Sequence, residues 1–297
     1  MKPAARIIAI FLILFPYGEC VAQDVYKLWE GREKPYYKEN QLEEYEKVSS
    51  FDVVCAYDVT EPTLTVYRAK AENSRRAVIL LPGGGYELVA IYHEGHDLAK
   101  ILAGQGITTA VLKYRLPRTE SSDQPHLVPL ADTRRALKLL RTHSEKYGFE
   151  KDKLGVMGFS AGSHLATVAS LWKSGDAAEN PNFSGLIYGV TDLSAENRKW
   201  LEESLYHRKM TDEEVARNTL LELVSKDTPP TFLVHAYDDE VCNVRESTLY
   251  AEQCVEHGVP VEMHLFPKGG HGFGVGRKTD GTDQWVQLFV NWLKTNI

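Results

Sequence analysis

The sequence predicts an α/β fold, with one mostly parallel central sheet covered by helices on both faces. Three observations carry that reading. Residues 77–81 (AVILL) form a short continuous apolar run that suits a strand buried on both sides, and residues 153–157 (KLGVM) read as a further strand. Longer segments with apolar residues at helical spacing lie between them, so strand and helix alternate along most of the chain. No Pro/Ser-rich linker and no internal repeat interrupts the pattern, which favours a single domain over residues 51–297. The chain has 297 residues, 43% apolar and 25% charged, a globular composition long enough to bury a large core without a disulfide or metal staple. Its net charge is −7 and no cluster of Lys and Arg stands out, so the electrostatic footprint of a nucleic-acid binder is missing.

In chain order, residues 1–22 read as a secretory signal. Lys2 and Arg6 give a basic start, residues 7–15 are an apolar run too short to span a bilayer, and Ala22 ends a plausible cleavage site. This predicts a secreted or periplasmic protein with no transmembrane segment in its mature form. The polar stretch 23–50 reads as an extended arm on the surface. Strands are expected at 51–59, 64–69, 77–81, 108–114, 153–157, 185–190, 230–236 and 261–266. Helices are expected at 95–103, 128–146, 160–171, 246–257 and 284–294. Residues 192–226 are polar and helical in parts, with Thr211 opening one helix ahead of Glu214, and form a candidate cap over the sheet. Cys55, Cys242 and Cys254 match no zinc spacing and read as small buried hydrophobes.

Three motifs fall at the ends of expected strands. Gly158-Phe159-Ser160-Ala161-Gly162 follows a strand and opens a helix, the setting in which a sharp turn raises a serine hydroxyl above a sheet. Pro82-Gly83-Gly84-Gly85-Tyr86 follows AVILL, and its unshielded backbone N–H groups suit the stabilisation of an oxyanion. The donors on this reading are the N–H groups of Gly84, Gly85 and Ala161. The glycine run does not fit G-x-G-x-x-G, and no Lys-Ser or Lys-Thr follows it, so a nucleotide loop is a poor fit. Asp238-Asp239 and His271 follow two further strands, which gives the order Ser, Asp, His. Ser160 is then a nucleophile, His271 its base and one of the two aspartates the acid that orients the imidazole. His164, one turn after Ser160, points along its helix and reads as structural. His235 reads as a satisfied histidine at a strand end. Glycines around His271 suggest a mobile loop. Tyr86 is either a stacking surface for a sugar ring or a wall of the pocket. Arg115 and Asp132 are a candidate ion pair near the glycine loop.

The stretches LLPGGGYELVAIYHEGHDLAKILAGQGITTAVLKYRLP, LGVMGFSAGSHLA, TPPTFLVHAYDDEVCNVRES and VPVEMHLFPKGGHGFG resemble the secreted α/β-hydrolase carbohydrate esterases of the acetylxylan and feruloyl esterase type. The resemblance spans about residues 61–274 and extends more distantly to the hormone-sensitive-lipase and prolyl-oligopeptidase branches. It implies an α/β-hydrolase fold and an acylated carbohydrate substrate, with no cofactor and no metal. It implies Ser160 as nucleophile, Asp239 as acid, because the family acid lies four residues after the strand-ending histidine, His271 as base, and Gly84, Gly85 and Ala161 as oxyanion donors. This chain departs from the family at Ser163, where glycine is usual, and at Cys242, where proline is usual. A prolyl-oligopeptidase-type peptidase shares the order Ser, Asp, His, and a non-catalytic glycan-binding hydrolase fold is a third reading.

Overall fold

The computed structural model describes residues 23–70 and 72–297, so the expected signal segment lies outside the described residues. An eight-stranded sheet forms the centre. Its strands are β1 (Gln23–Lys27), β4 (Thr63–Tyr67), β5 (Ala77–Leu81), β7 (Thr108–Lys113), β8 (Leu154–Phe159), β9 (Ser184–Ile187), β10 (Thr231–Ala236) and β11 (Val261–Phe266). Their spatial order is β1-β4-β7-β5-β8-β9-β10-β11. The pairs from β7 to β11 are parallel, while β1 and β4 add antiparallel at one edge. Every residue of β5, β8 and β10 is buried. Successive strand side chains point to opposite faces, so both faces of the sheet are covered, as the continuous apolar runs require. Three short strands, β2 (Tyr45–Val48), β3 (Val54–Tyr57) and β6 (Leu88–Val89), form a small antiparallel sheet of their own.

Among the described residues there are eight α-helices, α1 (Asp97–Gly104), α2 (Val128–Thr142), α3 (Ser144–Tyr147), α4 (Ala161–Leu171), α5 (Ala195–Ser204), α6 (Asp212–Asn218), α7 (Arg245–Glu256) and α8 (Trp285–Asn296), of which α1, α2, α4, α7 and α8 pack on strands of the sheet. The single helix expected over 128–146 breaks at His143, whose φ of −99° and ψ of 16° leave the helical region. The start of α6 follows the sequence reading. The Thr211 hydroxyl accepts from the Glu214 N–H, and the Glu214 carboxylate accepts from the Thr211 N–H, a reciprocal cap. No described helix is long and apolar enough to cross a membrane.

The segment expected as an arm contains two strands, and β1 belongs to the main sheet. Alternation of exposed and half-buried residues in QDVYK hid it, because its anchors come from far along the chain. The Asp24 carboxylate accepts from the Tyr147 hydroxyl at 2.8 Å and from Arg68 at 3.0 Å, and Lys146 stands 3.3 Å away. The Tyr147 and Arg68 hydrogen bonds lead in holding this carboxyl down to about 2. That lies below the unfolded value of about 3.9, so the contribution is complete above roughly pH 4 and is lost as pH falls through about 2. Asp24→Asn is therefore expected to lower the urea midpoint at pH 6 and to flatten its fall between about pH 4 and 2. Equal acid sensitivity in the variant and the parent would contradict this.

Candidate active site

The end of β8 turns sharply into α4 at Ser160, whose φ of 50° and ψ of −120° are strained for a residue with a side chain. The turn is possible because its neighbours are glycines. A Cβ on Gly162 would lie 2.0 Å from the Leu81 carbonyl oxygen, and one on Gly158 would lie 2.0 Å from the Gly162 carbonyl oxygen. Helix α4 is buried from Ala161 to Ser170 and rests on β8 and β9. Ser163, a departure from the family pattern, fits because residue 189 facing it is glycine, with no Cβ to collide with its side chain.

The three residues separated in sequence meet above the sheet. Ser160 Oγ lies 2.8 Å from His271 Nε2, and His271 Nδ1 lies 2.8 Å from Asp239 Oδ2. With the proton on Nδ1, His271 donates to Asp239 and accepts from Ser160. Asp239 Oδ1 accepts from the N–H groups of Val241 and Cys242 at 2.9 and 2.8 Å. Burial pushes the Asp239 carboxyl up, but hydrogen bonds from His235, His271 and the Cys242 backbone outweigh it and hold it below the usual carboxylate range. Asp238, the competing acid, accepts instead from the Gly270 N–H at 2.7 Å. One aspartate thus faces the imidazole and the other holds the loop that carries it. Cys242 contributes its backbone, an N–H that proline could not supply. The thiols of Cys55, Cys242 and Cys254 are all free and buried.

The histidine loop is tied down rather than loose, contrary to the expectation drawn from its glycines. Besides Asp238, Arg277 reaches the Gly269 carbonyl, His93 Nε2 the Gly272 carbonyl, and Trp285 Nε1 the Gly274 carbonyl. Tyr188 meets the His271 ring edge to face, with centroids 5.0 Å apart, and its hydroxyl accepts from the Gly274 N–H.

The glycine loop between β5 and β6 is equally fixed. The Tyr114 hydroxyl donates to the Pro82 carbonyl at 2.7 Å, and the Gly83 N–H donates to Glu94 at 2.6 Å. Gly83 is therefore committed. Among the described residues, no hydrogen bond outside regular helix and strand pairing uses the N–H groups of Gly84 or Gly85. Ala161 opens α4, where an N–H has no intrahelical acceptor. The three expected donors remain available to a developing negative charge.

Tyr86 does not present a face to solvent, so the stacking reading is corrected. It is 1% exposed, its hydroxyl is 2.8 Å from His164 Nδ1, and its ring stacks at 5.7 Å on Trp200 of α5. It is wall, and Trp200 is the half-buried aromatic beyond it. Burial alone holds His164 down to about 4, and its tie to Tyr86 makes it structural. His235 is satisfied on both nitrogens, by Ser247 and the Cys242 carbonyl. Arg115 and Asp132 do pair, at 2.7 Å and buried, with Trp29 Nε1 adding a donor to the same carboxylate. Sequence reasoning missed Glu94, Tyr188 and Trp200. The sequence offered little signal, because Glu94 sits among other polar residues (AIYHEGHDLAK) and the two aromatics had no stated role.

Comparison with known proteins supports the fold and the esterase class. A family model described as BD-FAE matches residues 64–254. An acetylxylan esterase of Xylanibacter ruminicola is 30% identical over 230 residues, covering 75% of this chain and 46% of that protein. Endo-1,4-beta-xylanase B of Butyrivibrio fibrisolvens is 30% identical over 268 residues, covering 86% and 41%. This chain thus spans less than half the length of these two relatives. The crystal structure of an acetyl ester-xyloside bifunctional hydrolase from Caldicellulosiruptor lactoaceticus superposes with a TM-score of 0.74 at 30% identity, covering 92% of this chain and 96% of that one. With the parallel sheet, the strained serine turn and this match across most of its length, the chain belongs to the BD-FAE family, within the α/β-hydrolase esterases.

Proposed function

We propose that this protein is a serine carboxylic-ester hydrolase that removes acetyl or feruloyl groups from plant polysaccharide or oligosaccharide such as xylan. The observation that carries the reading is the unbroken relay Ser160–His271–Asp239, with both contacts at 2.8 Å. Ser160 Oγ attacks the ester carbonyl as His271 Nε2 takes its proton. The carbonyl oxygen becomes an oxyanion facing the N–H groups of Gly84, Gly85 and Ala161. His271 then returns the proton to the departing sugar hydroxyl, leaving the acyl group on Ser160. Water, deprotonated by the same imidazole, releases the acid and restores the serine. Asp239 holds the tautomer and balances the imidazolium throughout.

Support for a xylan-type substrate comes from the named activities of the acetylxylan esterase, the xylanase and the acetyl ester-xyloside hydrolase, together with the secretory reading of residues 1–22, which would export the enzyme to where such polymers are met. Residues 192–226 act as the cap in this reading, since Trp200 lies against the glycine loop, its Nε1 3.4 Å from the Gly85 carbonyl. A panel of acetylated xylo-oligosaccharides, feruloylated oligosaccharides and peptide amides decides the class. Release of acetate or ferulate with no amide cleavage is expected. Amide cleavage without ester hydrolysis would replace this reading with a peptidase.

A further inference from the structure

We propose that Glu94 is a positioning residue of this site, one buried side chain that sets the oxyanion loop and the histidine loop against each other. The inference rests on the serine-hydrolase reading above and goes beyond it. Glu94 lies in a π-helical turn, Tyr92–His96, and is 4% exposed. Such turns are rare and cluster at functional positions. Its two carboxylate oxygens reach opposite ways. Oε2 accepts from the Gly83 N–H at 2.6 Å, and Oε1 accepts from the Tyr188 hydroxyl at 2.8 Å.

Each contact leads to one half of the site. Gly83 immediately precedes the two glycines whose N–H groups face the oxyanion, and it is wedged between Glu94 and the nucleophile turn. A Cβ there would lie 2.9 Å from Glu94 Oε2, 2.9 Å from Ser160 Cβ and 2.6 Å from the Phe159 carbonyl oxygen. Tyr188 touches the His271 ring and accepts from the Gly274 N–H at 3.1 Å. The neighbouring His93 secures the Gly272 carbonyl, so the same turn grips the histidine loop twice. A shift of Glu94 would therefore move donors and base relative to each other, while leaving the serine in place on β8 and α4.

A buried carboxyl is costly unless its lone pairs are used. No Lys or Arg contacts Glu94 among the described salt bridges. A plain structural role at this place would be served by an apolar side chain. The carboxyl is explained by the need to accept from two donors on two loops at once, which a hydrocarbon cannot do.

The test compares Glu94→Gln, Glu94→Ala, Tyr188→Phe and the double variant Glu94→Ala/Tyr188→Phe in the full chain. The substrate is p-nitrophenyl acetate, and a fluorophosphonate probe measures serine reactivity. Loss of one oxyanion donor costs about 10²–10³-fold in kcat, so misplacing donors that are still present is expected to cost about 10–100-fold in Glu94→Ala. KM should stay within about twofold, because the loss falls on the transition state. Glu94→Gln keeps an acceptor for Gly83 and should recover most of the rate. Tyr188→Phe should cost less than Glu94→Ala, and the double variant should be no slower than Glu94→Ala alone, because both cut one linkage. If Glu94→Ala does not fold, Glu94→Gln, Tyr188→Phe and their double variant take its place, and the double variant should be no slower than the slower of these two single variants. Fully additive losses, a kcat within twofold of the parent in Glu94→Ala, or a rise in KM in place of the fall in kcat would overturn the proposal. A parent enzyme that neither hydrolyses the ester nor reacts with the probe would instead remove the serine-hydrolase reading itself.

Discussion

Ser160→Ala is expected to lower kcat for ester hydrolysis by about 10⁶-fold, the scale seen when the nucleophile of a serine triad is removed. The residual rate would come from water attacking an ester still held against the oxyanion N–H groups, so it should stay measurably above background. Folding should be nearly unaffected. Alanine keeps the Cβ and so the same strained φ and ψ, and the hydroxyl makes no described hydrogen bond except to the half-buried His271. Glycine at the same position removes the nucleophile too, but tolerates a positive φ. Ser160→Gly should therefore be as inactive and yet more stable than Ser160→Ala, offset by the greater freedom of glycine in the unfolded chain. The measurements are kcat with p-nitrophenyl acetate and Tm by calorimetry. Activity within tenfold of the parent in the alanine variant would mean that another nucleophile carries the reaction.

The parts of this molecule that sequence displays are those whose partners are near or interchangeable. The run AVILL is legible as β5 because any strand buried on both faces must look like that. The turn at Ser160 is legible because glycines are needed within two residues of it. The acid was harder. Asp238 and Asp239 are adjacent and alike; the resemblance pointed to Asp239, and the meeting with His271, 32 residues away, separates the orienting carboxylate from the loop anchor. Tyr86 shows the converse. Its place beside the glycines left a sugar platform and a pocket wall equally open, and its surroundings are fixed by Trp200 and His164, both distant in sequence. Glu94 was illegible for the same reason, since its partner Tyr188 lies 94 residues away. Strand β1 was hidden by its mixed exposure and by anchors at Arg68, Lys146 and Tyr147. What a single sequence conceals here is the polar contact made across the fold, where residue type is ordinary and the pairing carries the meaning.

Asp239→Asn is expected to lower kcat by about 10⁴-fold, and the structure gives a reason particular to this protein. The carboxylate sits between two kinds of partner. On one side the N–H groups of Val241 and Cys242 point at Oδ1, and on the other His271 Nδ1 and His235 Nε2 approach Oδ2 at 2.8 and 3.2 Å. An asparagine must turn its carbonyl oxygen toward the two N–H groups, because an amide NH₂ there would face donors. Its NH₂ then points at His271 Nδ1, which has to become an acceptor. The ring proton moves to Nε2, and His271 can no longer accept from Ser160. The same NH₂ also faces the Nε2–H by which His235 holds the Cys242 carbonyl, a donor against a donor in a site without solvent. The variant should therefore lose some stability as well as most of its rate. Asp238→Asn is the matched control. Its oxygen can still accept from the Gly270 N–H, so kcat should stay within about threefold. Reversal of the two effects, with Asp238→Asn the more damaging, would show that the loop anchor governs catalysis and that the contact between Asp239 and His271 does not set the tautomer.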